Sequence, residues 1–355
     1  MLENILDKPL GGWLHEGACR STIALSSRVR LARNLKDMLF PSRGNEESLK
    51  KTEILMRGVL PDLKKADGYE YSNINLAQLS DTERAVLVEK HILSPVMGER
   101  KPHRSLIVSA DAGVAVMVNE EDHLRIQSMA PCENLEAAYE RAKKIDDAIE
   151  NKVDYAFNEA FGYLTACPTN TGTGMRASVM LHLPALVMTG RFKRIVRGIM
   201  GLGYSVRGLY GEGSQGLGNV FQVSNQLTMG VSEETTIRQL KQVVDGLIRE
   251  EEQSRTQLVK EDADGLADRV WRSYGTLSYA RRIDGEEALS LISDVQLGSD
   301  CEILPKVSNR LFDELLVITR PNFLNKYAGR EDMTPRERDA YRANVVRDRL
   351  KESEG

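Results

Sequence analysis

From residue 106 the chain reads LIVS, a turn at Asp111 and Gly113, VAVMVN, a second turn at Glu120-Glu121-Asp122, and HLRIQSM. Short apolar runs joined by turns too tight to hold a crossover helix can pair only with their neighbours in the chain, so this stretch predicts an antiparallel meander. A parallel doubly wound sheet needs a helix between successive strands, and there is no room for one here. The fold class that follows is α+β: an antiparallel sheet flanked by helices.

The neighbouring segments agree. From Leu135 to Ile149 the period changes, with Leu135, Ala138, Tyr139, Ala142, Ile145 and Ile149 on one helical face and charges on the other. A strand is expected to end at Pro184. It is followed by a helix through Phe192, Ile195, Val196 and Ile199 that Gly201 and Gly203 stop, then by a strand pair in YSVRGLY and VFQVSNQL. Gly211 to Gly216 spells G-x-G-x-x-G, but VFQVSN follows with strand character where a dinucleotide fold requires a helix, so the segment reads as a mobile glycine-rich loop. Ser232 caps a further helix, with Glu233 and Glu234 at its positive end and Ile237, Leu240, Val244 and Leu247 on its apolar face. The charged runs REEEQSR and EDADG then suggest a boundary, which divides the chain into 1–255 and a helical 256–355. Thr334-Pro335-Arg336-Glu337 announces the last helix as a capping box with proline at its first position.

Composition excludes several functions. With 48 Lys and Arg against 52 Asp and Glu the chain lacks the cationic excess of a nucleic-acid coat, and 41% hydrophobic residues rule out disorder over its length. No apolar window is long enough for a membrane helix. Cys19, Cys132, Cys167 and Cys301 form no C-x-x-C pair, so a reduced cytoplasmic chain is expected, and the histidines show no metal-ligand spacing.

Neither a P-loop nor the H-R-D and D-F-G elements of the eukaryotic-type kinases occurs. Arginines gather instead in SSRVRLARN (Arg28, Arg30, Arg33), NEEDHLRIQSM (Arg125), CPTNTGTGMRAS (Arg176) and SVRGLYGEG (Arg207). Alternate residues of a strand share a face, so Arg28 and Arg30 can present two guanidinium groups side by side, an arrangement suited to a polyanion such as a triphosphate.

Those four segments, in that order, resemble the signatures of the phosphagen (guanidino) kinase family. The resemblance implies ATP as phosphate donor, with Mg²⁺ on the nucleotide. It implies a nucleotide site of Arg28, Arg30, Arg125, Arg176 and Arg207 with Ser26, Ser27, His91, Ala177, Ser178, Gly208 and Gly211. The family's guanidinium-binding carboxylates correspond to Glu121 and Glu212, and its reactive cysteine to Cys167. A protonated guanidinium is a poor nucleophile, so two carboxylates that hold it and take its proton, with a thiolate beside it, make chemical sense. Gly172 and Gly174 would let backbone amides come close to phosphate. Met180 stands where the family usually has histidine.

SSRVR begins at Ser26, so the helical domain that in the family closes over a small guanidino substrate is expected to be missing. With the C-terminal extension this resembles the bacterial protein-arginine kinases of the family. That branch implies protein substrates with exposed arginine, an activator protein, a stress-response repressor as substrate, marking for the ClpC–ClpP protease, and a homodimer. It also implies a phosphoarginine-binding pair at Arg338 and Asp339, the first for the phosphoryl group and the second for the guanidinium. Two other readings stand beside it: a kinase of a free guanidino metabolite such as arginine, and a phosphoarginine-binding adaptor without catalysis.

Overall fold

The computed structural model describes residues 1–11, 19, 22–208, 216–305 and 309–353. The chain divides into two compact units, one of residues 1–13, 26–178 and 224–241, the other of residues 14–25, 179–223 and 242–355. Ten strands are present among the described residues: β1 (Ala24–Arg33), β2 (Tyr71–Asn75), β3 (Ser105–Ser109), β4 (Val114–Val118), β5 (Leu124–Pro131), β6 (Phe157–Asn158), β7 (Gly162–Tyr163), β8 (Met175–His182), β9 (Tyr204–Gly208) and β10 (Val220–Asn225).

In the first unit the strand order is β2-β3-β4-β5-β1-β8. The meander is β3-β4-β5, antiparallel, with its two turns where the sequence places them. Asp111 builds the first turn by accepting from the Gly113 amide (3.1 Å) and the Ser109 hydroxyl (2.5 Å). Leu106, Ile107, Val108, Val114, Val116, Val118, Leu124 and Ile126 are fully buried, so both faces of the meander are covered. The helix Leu135–Glu150 packs on β5 and buries the six residues its periodicity predicts, with Asp146 beside them. Each buried Leu or Ile contributes about 1.5–3 kcal/mol, which a short helix needs because its hydrogen bonds alone leave it marginal in water.

In the second unit β8, β10 and β9 are neighbours in that order. The expected helix appears as Phe192–Gly201, with Gly203 left-handed (φ 87°) just beyond it. The Ser232 hydroxyl accepts from the Thr235 amide (3.1 Å), as expected of a cap, and Ile237, Leu240, Val244 and Leu247 are buried. This helix does not end at the charged run. It continues unbroken from Glu233 to Glu261, so the expected division at 255/256 falls inside it. The physical reason is Glu251. Its carboxylate is fully buried, accepts from the amides of Ala185 (3.0 Å) and Leu186 (2.8 Å) at the start of the helix Pro184–Met188, and pairs with Arg255 (3.0 Å). The next helix, Ala263–Tyr279, is capped by Asp262. Helices Gly285–Asp300, Asn309–Ile318, Pro321–Tyr327 and Pro335–Ser353 complete the unit, and the capping box of Thr334 and Glu337 is formed in both directions.

Among the described residues no helix is long and apolar enough to cross a membrane. Cys19 and Cys132 are each in a disulfide, which corrects the expectation of four reduced thiols; Cys167 and Cys301 are free.

Candidate active site

β1 and β5 run antiparallel with Arg28 opposite Met129, Arg30 opposite Gln127 and Ala32 opposite Arg125. Period two then puts Arg28, Arg30 and Arg125 on one face of the sheet. Arg176 enters from β8, the other neighbour of β1, and reaches the Ser224 hydroxyl at 3.5 Å. The four guanidinium groups feel one another. Burial and the charges of Arg125 and Arg176 pull the Arg28 guanidinium down to about 10, and burial with Arg28, Arg125 and Arg176 pulls Arg30 well below its usual value, with Glu120 opposing. Guanidinium groups do not give up their proton in proteins, so this pressure is relieved by an anion and not by titration. Arg30 Nε is buried without a hydrogen-bond acceptor.

Arg33 is a different case. Three residues from Arg30 it faces the other way, and it is buried against Asp146 (2.6 Å) with its guanidinium 3.6 Å from the centre of the Tyr163 ring. It braces the structure beneath the sheet and leaves the phosphate set at four in this unit.

The turn Asn119–His123 carries three acids with three separate tasks. Glu120 is buried and holds Arg125 at 2.8 Å, and it also accepts from the Ser94 hydroxyl. Asp122 is buried and accepts from the Asn34 amide (2.6 Å) and the Ala166 backbone amide (2.6 Å), which ties this turn to the cysteine loop. Glu121, between them, is half exposed, its carboxylate 4.0 Å from Arg125. Of the three it alone faces solvent, as a group that meets a substrate guanidinium must. Glu120, Asp122 and Asn34 were missed from the sequence, where a run of acids in a turn reads as a solvated surface. The signal available was their position between two strands buried on both faces. His123 is buried, its ring accepting from the Leu35 amide (3.2 Å), and burial drives its pKa down to about 4, so it is neutral.

Cys167 is half-buried, its sulfur 3.0 Å from the Thr169 hydroxyl, and its carbonyl accepts from Thr165 (2.7 Å). Gly172 and Gly174 are left-handed, but the close approach they permit is made by the chain itself. A Cβ on Gly172 would lie 2.1 Å from the Thr228 carbonyl oxygen, and one on Gly174 2.6 Å from that of Ala32. Asn225 accepts from the Ala177 amide (2.8 Å), and Ser27 donates to the Cys132 carbonyl (2.7 Å). Ser26 and Ser178 are buried. His91 is half-buried in a left-handed conformation, and its carbonyl accepts from Gln127 (2.8 Å). Arg207 is exposed on β9 in the second unit, Gly208 is buried after it, and Met180 is buried on β8. Gly211 and Glu212, with the glycine-rich loop that carries them, lie outside the described residues.

In the second unit Arg338 donates to the Met333 carbonyl (2.6 Å). Asp339 accepts from Arg342 (2.7 Å), a buried arginine that also donates to the carbonyls of Thr319 and Ile283 (both 2.8 Å). The Asp339 carboxylate is thus held in place by one guanidinium on its own helix.

Residues 51–254 match the profile of the ATP:guanido phosphotransferase C-terminal catalytic domain, and residues 263–355 match the protein-arginine kinase McsB C-terminal domain. A protein-arginine kinase of Halalkalibacterium halodurans is 45% identical over 353 residues, 99% of this chain and 98% of the relative, and one of Geobacillus sp. (strain WCH70) is 44% identical over 352 residues, 99% and 97%. Among solved structures, a lombricine kinase superposes with a TM-score of 0.57 at 26% identity over 68% of each chain. A duplicated taurocyamine kinase of Schistosoma mansoni gives 0.57 at 28% identity over 70% of this chain and 35% of that one.

Proposed function

The chain belongs to the ATP:guanido phosphotransferase family as a protein-arginine kinase, and from that premise we propose how its residues divide the work. Arg28, Arg30, Arg125 and Arg176 receive the nucleotide's phosphates; their mutual crowding, which adds to burial in pulling the Arg28 and Arg30 guanidinium groups below their usual value, is the observation that carries the reading. By the family resemblance Arg207 is assigned a further phosphate contact and Glu212 the second guanidinium-binding carboxylate. Glu121 takes the target guanidinium and its proton, and Cys167 places a polarisable sulfur beside it. Glu120 and Asp122 act on position: one aims Arg125, the other fixes the cysteine loop relative to Glu121. Phosphoryl transfer is then mostly alignment and neutralisation of the equatorial oxygens.

Magnesium enters on the nucleotide. Among the described residues no three His, Cys, Asp or Glu side chains gather to hold an ion, and the face where the phosphates would sit is cationic, so phosphate oxygens and water are its natural ligands. Bound there, it adds to the charge neutralisation the arginines supply.

The C-terminal helix contributes phosphoarginine recognition through Arg338 and Asp339. In the cytoplasm the modification marks damaged proteins and a stress-response repressor for ClpC–ClpP, under control of an activator and as a homodimer. The test of the central activity is incubation with ATP, Mg²⁺ and a protein substrate, with phosphate located by mass spectrometry under conditions that spare P–N bonds. Phosphate on arginine is expected, with free arginine a poor competitor; phosphate confined to Ser or Thr would overturn it. For the recognition pair, titration with phosphoarginine should show binding that Asp339→Ala removes.

A further inference from the structure

The first unit carries a shallow, open pocket of about 400 Å³ that none of the phosphate arginines, Glu121 or Cys167 lines. Phe157, Phe161, Tyr163 and Met229 line it together with Glu233 and Glu234. Phe157, Phe161 and Met229 are each half exposed, an uncommon cost for large apolar groups that sit together. The rings are held in place: Phe157 meets Tyr163 edge-on at 5.2 Å, and Tyr163 is backed by the Arg33 guanidinium at 3.6 Å.

The two glutamates share one hydroxyl. Tyr139 lies 2.8 Å from Glu233 and 3.1 Å from Glu234, and Glu234 also accepts from its own backbone amide and from the Ser232 hydroxyl, which hold it as an anion below its usual pKa. Arg33 approaches Glu233 only to 3.7 Å. Aromatic walls beside two carboxylates suit a side chain with a long apolar stem and a cationic head.

We propose that this pocket receives a basic side chain of the substrate polypeptide, a second residue apart from the arginine that is phosphorylated. The proposal rests on the protein-arginine kinase reading. Gly172 and Thr173 also line the pocket, and Gly172 is five residues from Cys167, a chain distance of at most about 18 Å. An extended substrate covers that distance in about six residues. Anionic flanking residues would be repelled by Glu233 and Glu234, so the pocket selects by charge as well as by shape.

The test uses the full chain, ATP and Mg²⁺ with peptides that contain one arginine and, at two to six positions on either side, lysine, leucine or alanine. Lysine is the probe because this chemistry does not modify it. Phosphoarginine formation at one or more spacings should show kcat/KM about tenfold higher with lysine than with alanine, from one partly exposed ion pair with one cation–ring contact. Glu234→Lys should abolish or invert that preference and Phe161→Ser should reduce it, both with the alanine peptide unchanged. No lysine preference at any spacing, an equal preference for leucine, or a preference retained in Glu234→Lys would each overturn the proposal. A chain that phosphorylates proteins yet shows no preference loses only this inference, whereas one that phosphorylates no arginine loses the function beneath it.

Discussion

Arg30 is the residue at which the electrostatics of the site are most exposed. It lies on the same strand face as Arg28, across the strand pair from Arg125's segment, and its Nε has no acceptor. In the apoprotein it is therefore a net liability, and with nucleotide bound it becomes an asset. Arg30→Met should raise the melting temperature of the nucleotide-free chain by relieving repulsion, and lower kcat/KM for ATP by about 10- to 100-fold, the loss of one charge-assisted bond of roughly 1.5–3 kcal/mol. Thermal shift with and without ATP reads both effects; a lower apo melting temperature would contradict the account. His123 makes a second prediction, in pH. Its folded pKa is depressed to about 4 against about 6.5 unfolded, so as pH falls through that window the unfolded chain takes up a proton that the folded chain refuses. Stability is then full above about 6.5 and falls by about 3 kcal/mol as pH drops to 4. Urea unfolding at several pH values measures it, and in His123→Asn that part of the slope should vanish.

At the scale of elements, what was legible from sequence was what is local. The helix Leu135–Glu150, the Ser232 cap and the Thr334–Glu337 box rest on residues within a few positions of one another, and all three are formed. The same period-two rule that grouped Arg28 with Arg30 separates Arg33 from them, although the motif alone lists the three together. What was not legible is contact over long chain distances. Glu251 lies in REEEQSR, which reads as solvated charge, yet its acceptors' work is to satisfy two amides 65 and 66 residues away in the chain. Similarly, Asp122 is joined to Ala166 across 44 residues, and nothing in NEEDH declares which of its acids are buried. Removing Glu251 should leave two helix amides without their acceptor and Arg255 with Asp300 as its remaining carboxylate partner. Glu251→Ala is expected to cost about 3–5 kcal/mol by urea unfolding, against less than about 0.5 kcal/mol for Glu252→Ala, its exposed neighbour. Equal costs for the two would remove Glu251 from this role.

For the whole molecule the question is whether residues 256–355 form an appendage that can be removed. Within the second unit, helix Gly285–Asp300 is buried on nearly every face, the pattern of a central helix. Its Ser293 hydroxyl lies 2.8 Å from the ring of His182 and 2.8 Å from the Asn219 amide, and Asp300 pairs with Arg255 at 2.9 Å. His182 is fully buried, and its ring also packs against Phe312 (4.7 Å between ring centres). Strands β8 and β10 and the segment before them thus share one core with the C-terminal helices. A chain ending at Arg255 would cut the helix Glu233–Glu261 and leave His182 and Asn219 without Ser293, and Arg255 without Asp300. Each buried polar group so orphaned costs about 1–3 kcal/mol, apart from the apolar surface uncovered on β8 and β10. Their sum rivals the 5–15 kcal/mol that holds a typical domain together. The shortened chain is therefore expected to lose hydrogen-exchange protection across residues 179–208 and 220–223 and to lose arginine phosphorylation with it, while β3 to β5 keep their protection. If it instead folds with β9 and β10 protected and turns over ATP near the full chain's rate, the C-terminal region is a separable tail, and the kinase stands without it.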